Sequence, residues 1–177
     1  MRRLHLAGLG LAAVSIVCMG GYAQAGDEFS ARANGFQEIG SLTGPTGAIF
    51  TNGTGKLSLD TQKSSITYSL TYSDLGSAVT QAHIHFGKVH VAGGIIAYLC
   101  TNQGNGPAGT PVCPPSGTVS GTLTAASVVG PTTQGIAVGN FDALLAALDS
   151  NTAYVNIHTS GFPSGEIRGQ IREGDHH

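Results

Sequence analysis

The segment Ile66-Thr67-Tyr68-Ser69-Leu70-Thr71-Tyr72 alternates apolar and polar residues without a break. Successive side chains of a strand point to opposite faces, so the run predicts a β-strand that buries Ile66, Tyr68, Leu70 and Tyr72. Shorter runs of the same kind predict strands at Phe29 to Glu38, Gly53 to Leu59, Val79 to Phe86, Ile95 to Cys100, Thr118 to Ala125, Tyr154 to Thr159 and Glu166 to Ile171. Turn signals separate them, among them Thr43-Gly44-Pro45-Thr46-Gly47, Asn52-Gly53 and Ser164-Gly165. One stretch changes period. Phe141, Leu144, Leu145 and Leu148 recur at helical spacing behind Asn140, a good N-cap, with Asp142 in the first turn. About eight strands and one short connecting helix predict an all-β domain, an antiparallel Greek-key sandwich or barrel.

The first 25 residues break this pattern. Arg2 and Arg3 precede an apolar run from Leu4 to Met19, and Ala23-Gln24-Ala25 is a small-x-small cleavage site. These features predict a secretory signal peptide and a mature chain that starts at Gly26, in the periplasm or outside the cell. Cys18 follows the bulky Val17, a poor lipobox, and leaves with the signal. No later run is long and apolar enough to span a membrane. The domain is expected to fill residues 26–172, with 173–177 a tail.

Composition narrows the partners. Of the 177 residues only 10% are charged, the net charge is −2, and loss of Arg2 and Arg3 makes it more negative. No basic stripe offers itself to nucleic acid. Cys100 and Cys113 remain after cleavage and bracket a Gly/Pro-rich loop. In an oxidising compartment they are expected to form a disulfide, worth about 3 kcal/mol for a loop of this length in the chain-entropy model. The alternative, a pair of thiolate metal ligands, lacks CxxC spacing. The loop from Gly104 to Pro115 reads as the most flexible part of the domain.

Histidines carry the sharpest chemistry. In Ala82-His83-Ile84-His85-Phe86, the two imidazoles share the face opposite Ala82, Ile84 and Phe86. In Tyr154-Val155-Asn156-Ile157-His158, the third lies opposite Val155 and Ile157. Neighbouring antiparallel strands bring side chains to about 5 Å, within reach of one shared ion. His83, His85 and His158 are therefore candidate metal ligands, with His90, just past its strand, a possible fourth. For His83 and His85 the alternative is a pair of polar side chains on a solvated strand face, or histidines hydrogen-bonded across the sheet. Copper is preferred, since an imidazole-only site in an oxidising compartment suits Cu(II); zinc is the alternative. No Asp or Glu stands beside the histidines to suggest a facial-triad iron site. His176 and His177 read as a tail, and His5 leaves with the signal.

Glu166, Arg168 and Gln170 share one face of the last long strand. Glu166 and Arg168 could pair to fix strand register, or support the metal site from outside, Arg168 as an anion-guiding group. Asn156 and Tyr154 could orient His158. No GxSxG, Walker loop or HExxH is present.

Together, the AHIHFG segment, the helix Phe141 to Leu148, the YVNIHT strand and the closing GEIRGQI resemble the CHRD-domain family, named after its repeats in chordin. The resemblance covers the whole predicted mature chain and implies an exported all-β domain. A second, local resemblance is to the copper-zinc superoxide dismutases, in His83-Ile84-His85-Phe86-Gly87 and in an arginine, Arg168, placed to stand near the site. Their histidine-rich zinc loop and bridging histidine have no counterpart here, so only the HxH strand and His158 carry over. Three readings follow: a metal-binding domain for metal handling or redox chemistry, a non-catalytic module for an extracytoplasmic protein partner with structural histidines, and a dismutase-type copper enzyme.

Overall fold

A computed structural model describes residues 26–40 and 47–174. The expected signal segment, His176 and His177 lie outside them. The strands are β1 (Glu28–Asn34), β2 (Thr54–Gln62), β3 (Ser65–Ser73), β4 (Val79–Phe86), β5 (Ile95–Thr101), β6 (Gly117–Leu123), β7 (Ala153–Thr159), β8 (Ile167–Gln170) and the two-residue β9 (Arg172–Glu173). One helix, α1 (Phe141–Asp149), joins β6 to β7. All pairings are antiparallel, in the order β5-β4-β7-β8-β1-β2-β3-β6, with β9 on β1. The end strands β5 and β6 approach each other, and Tyr68 on β3 donates its hydroxyl to the Leu99 carbonyl on β5 (2.6 Å). The sheet is thus a nearly closed barrel.

Alternation builds the inside. Ile66, Leu70, Leu57, Ile84, Ile157 and Ile167 are fully buried, and α1 adds Leu144 and Leu148 to the same core. Asn140 caps α1 as its residue type predicts, its side chain accepting from the Ala143 amide (3.1 Å).

Two segments depart from the sequence reading. The first strand was expected to reach Glu38, but β1 ends at Asn34, whose side chain caps a 3₁₀ turn over Gly35–Gln37. Gly35 allows that turn, since a Cβ there would lie 2.2 Å from the Ile49 carbonyl oxygen. At the other end, Arg172 and Glu173 pair with Ser30 and Phe29, so ordered pairing passes the expected start of the tail. The Gly/Pro-rich loop is anchored at both ends, and its expected cross-link is present. Cys100 and Cys113 are joined by a disulfide. Asn102 donates to the Val79 and Cys113 carbonyls and accepts from the Cys113 amide.

Candidate metal centre

Strand register assembles one polar face. Across β4, β7 and β8, His83 stands opposite Asn156 and Asn156 opposite Arg168; His85 stands opposite Tyr154, and Tyr154 opposite Gln170. His158, opposite Gln81, lies diagonal to His83. The reverse faces of the same strands feed the barrel core. A solvated polar face was one expectation for these histidines, and the structure replaces it with a covered one. His83 is fully buried, His85 and His158 are 8% and 6% exposed, and Arg168 is 2% exposed.

One nitrogen from each of His83, His85 and His158 falls within 4.8 Å of the other two. That limit is close to the roughly 4 Å that two trans ligands span around an ion with bonds of about 2 Å. Hydrogen bonds set the tautomers. His85 Nδ1 faces the Gly93 carbonyl at 2.9 Å and His158 Nδ1 faces the Pro163 carbonyl at 2.9 Å. A carbonyl only accepts, so both Nδ1 atoms carry hydrogen and both Nε2 atoms keep a lone pair. His83 Nδ1 lies 3.2 Å from His158 Nε2 and must donate to it. His83 Nε2 is then a lone pair as well. Neither His83 Nε2 nor His85 Nε2 has a hydrogen-bond partner, although both are buried.

The electrostatics favour neutral rings. Burial, with the neighbouring His158 and His85, takes His83 down to about 2. Burial and His158 take His85 down to about 3, against the Gly93 bond; Arg168 adds to the lowering. Burial also lowers His158, partly offset by its bond to Pro163. Neutral imidazoles are the form that binds a metal. Two of the three, His83 and His85, have a free Nε2 lone pair, and that of His158 is taken by His83 Nδ1.

Aromatic rings hold two of the three in place. The Tyr98 ring meets His83 edge-on at 4.4 Å between centroids, and Tyr154 stacks on His85 at 4.9 Å with 9° between the planes. The Arg168 guanidinium lies 3.5 Å over the Tyr154 ring. It donates to the Val91 (3.1 Å) and Lys88 (3.0 Å) carbonyls.

The sequence model of the CHRD domain matches residues 29–171. The chain belongs to the CHRD-domain family. The match runs from β1 through β8 and takes in all three histidines. No curated protein and no solved structure matches the chain.

Of the other expected site residues of this CHRD domain, Asn156 and Arg168 share the histidine face, whereas His90 and Glu166 lie elsewhere. His90 is exposed, with φ 61, and stands outside the histidine group. The Glu166 carboxylate accepts from the Thr51 hydroxyl, the Gly76 amide and the Thr159 hydroxyl (2.6, 2.7 and 2.8 Å), bracing three segments. Asn156 sits between Tyr154 and His158 on β7 and reaches Glu38 (Nδ2 to Oε2, 3.5 Å).

Glu38, Tyr98 and Gly93 escaped the sequence reading. Glu38 is 3% exposed, with its Oε1 unpartnered, and burial pushes its carboxyl up to about 7 despite Arg168, the Ile39 backbone and Asn156. Its one signal was an acidic residue inside Gly35-Phe36-Gln37-Glu38-Ile39-Gly40, an otherwise uncharged run. Tyr98 was legible as an aromatic on the strand next to the HxH. Gly93 acts through its backbone, which leaves no chemical mark in a sequence.

Proposed function

We propose that this CHRD domain binds one transition-metal ion through His83, His85 and His158, copper by preference, in an exported protein concerned with metal handling or redox chemistry. The supporting observation is the pair of buried Nε2 lone pairs with no donor. A buried unsatisfied polar group costs about 1–3 kcal/mol, and an ion at the centre of the three rings would relieve two of them at once. Ring orientation by backbone carbonyls, as at Gly93 and Pro163, is the usual support of metal-binding histidines. The donor set fits Cu(II): it is imidazole alone, and the two cysteines of the described chain are committed to a disulfide. Zinc is the alternative ion for three histidines with an open position. Bound copper would supply one-electron chemistry, and the chain's part is to keep three rings neutral, oriented and nearly free of water.

The disulfide suits export to an oxidising compartment. A competing role, as a module for a protein partner, has its own observation in Phe36 and Phe50. They are 68% and 89% exposed and pack edge to face at 6.4 Å. A dismutase-type role asks Arg168 to guide anions, but both of its terminal amino groups already serve backbone carbonyls.

The deciding experiment is metal analysis and titration calorimetry of chain 26–177 without an added histidine tag. About one copper per chain is expected, with binding weakened at least tenfold in His85→Ala and His158→Ala and preserved in the double variant His176→Ala/His177→Ala. Binding lost only in the tail variant would overturn the proposal and favour the interaction module.

A further inference from the structure

Between β4 and β5 the chain crosses the histidine face as a short strap, residues 87–94. The middle of the strap is exposed, Val89 and Val91 by 43% and 50%. At its far end, Gly93 packs so closely that a Cβ would stand 1.6 Å from the Phe86 carbonyl oxygen. The Gly93 carbonyl takes both the His85 Nδ1 bond (2.9 Å) and the Tyr154 hydroxyl (3.3 Å), and the Gly93 amide donates back to that hydroxyl (3.1 Å).

We infer that Arg168 is a positioning residue for the histidine cluster: it staples the strap across the site, so that the Gly93 carbonyl holds His85 with its Nε2 turned inward. The inference rests on the metal-binding reading only for its purpose; the staple itself is a matter of geometry. A planar guanidinium can lie over a ring and donate in its own plane at the same time. Arg168 does both. Its central carbon lies over Tyr154, the ring that stacks on His85, and its two terminal amino groups take the Lys88 and Val91 carbonyls. One side chain on β8 thereby fixes both things that orient His85, the ring stacked on it and the strap that carries its acceptor. His158 answers to a different carbonyl, Pro163, outside the strap. It is an internal control.

The test is the histidine tautomer, read from long-range ¹H–¹⁵N spectra of the metal-free mature protein, with copper titration alongside. In the parent protein His85 and His158 should both carry hydrogen on Nδ1. In Arg168→Ala, His85 should lose that preference while His158 keeps it, and the Kd for Cu(II) should rise 10–100-fold. If the alanine variant does not fold, Arg168→Lys retains the positive charge and the stem but not the fork, and the same shift is expected. A folded variant in which His85 keeps its Nδ1 hydrogen overturns the inference. The two ideas fail separately. A tautomer shift in a protein that binds no metal would leave the staple standing and remove the metal, whereas unchanged tautomers with tight copper binding would do the reverse.

Discussion

At the scale of single residues, the polar face sets two titrations against each other. The unfolded chain protonates His83, His85 and His158 near 6.5, whereas the folded protein keeps them neutral, His83 down to about 2 and His85 to about 3. Below pH 6.5 the unfolded state therefore binds more protons, and stability falls as the pH drops, by about 1.4 kcal/mol per unit for each neutral ring. Glu38 works the other way. Its carboxyl is raised from 4.5 to about 7, so the stability it contributes is complete below 4.5 and disappears as the pH rises through 7. Three groups outweigh one. Urea unfolding of the metal-free protein should show a midpoint that falls from pH 6.5 toward 4.5, and more steeply in Glu38→Gln, which removes the opposing slope. The histidines were legible because period-two alternation marks which side chains share a face. Glu38 was not, because it lies in a turn without periodicity and meets Asn156 across 118 positions of sequence. His90 was misleading for a related reason: proximity along the chain says little once a backbone leaves the strand.

At the scale of elements, the strands were readable wherever one face is apolar and the other polar, as in β3, and their ends were not. β1 stops four residues before the expected end because a glycine and a capping asparagine turn the chain, and neither disturbs the hydrophobic pattern. α1 was readable to within a residue, since its cap and its apolar stripe agree. Asn140→Ala should cost about 1 kcal/mol through the lost bond to the Ala143 amide, measured by chemical denaturation. The strap was opaque to pattern, because its work is done by carbonyl groups. Gly93→Ala must displace the Phe86 carbonyl or the strap. It should weaken copper binding as well as stability, which paired calorimetric titration and urea melts would show.

At the scale of the whole molecule, the disulfide fastens the loop beside the seam between β5 and β6. Unfolding with and without reductant should differ by about 3 kcal/mol, and chain 26–177, unreduced, should show no alkylatable thiol. Every residue of β7 is buried, its apolar side in the barrel and its polar side under the site. One of its two neighbours, β8, follows directly, but the other comes from a distant part of the chain: β4 precedes it by some 75 positions, and the closing His83–His158 pair spans the same gap. Contacts of such range form late, after the entropy of the long loop has been overcome. The three rings therefore cannot gather before the sheet does, and an ion has nothing to nucleate. Refolding should run at the same rate with or without copper, and loading should follow folding as a separate, slower event limited by access through a finished wall.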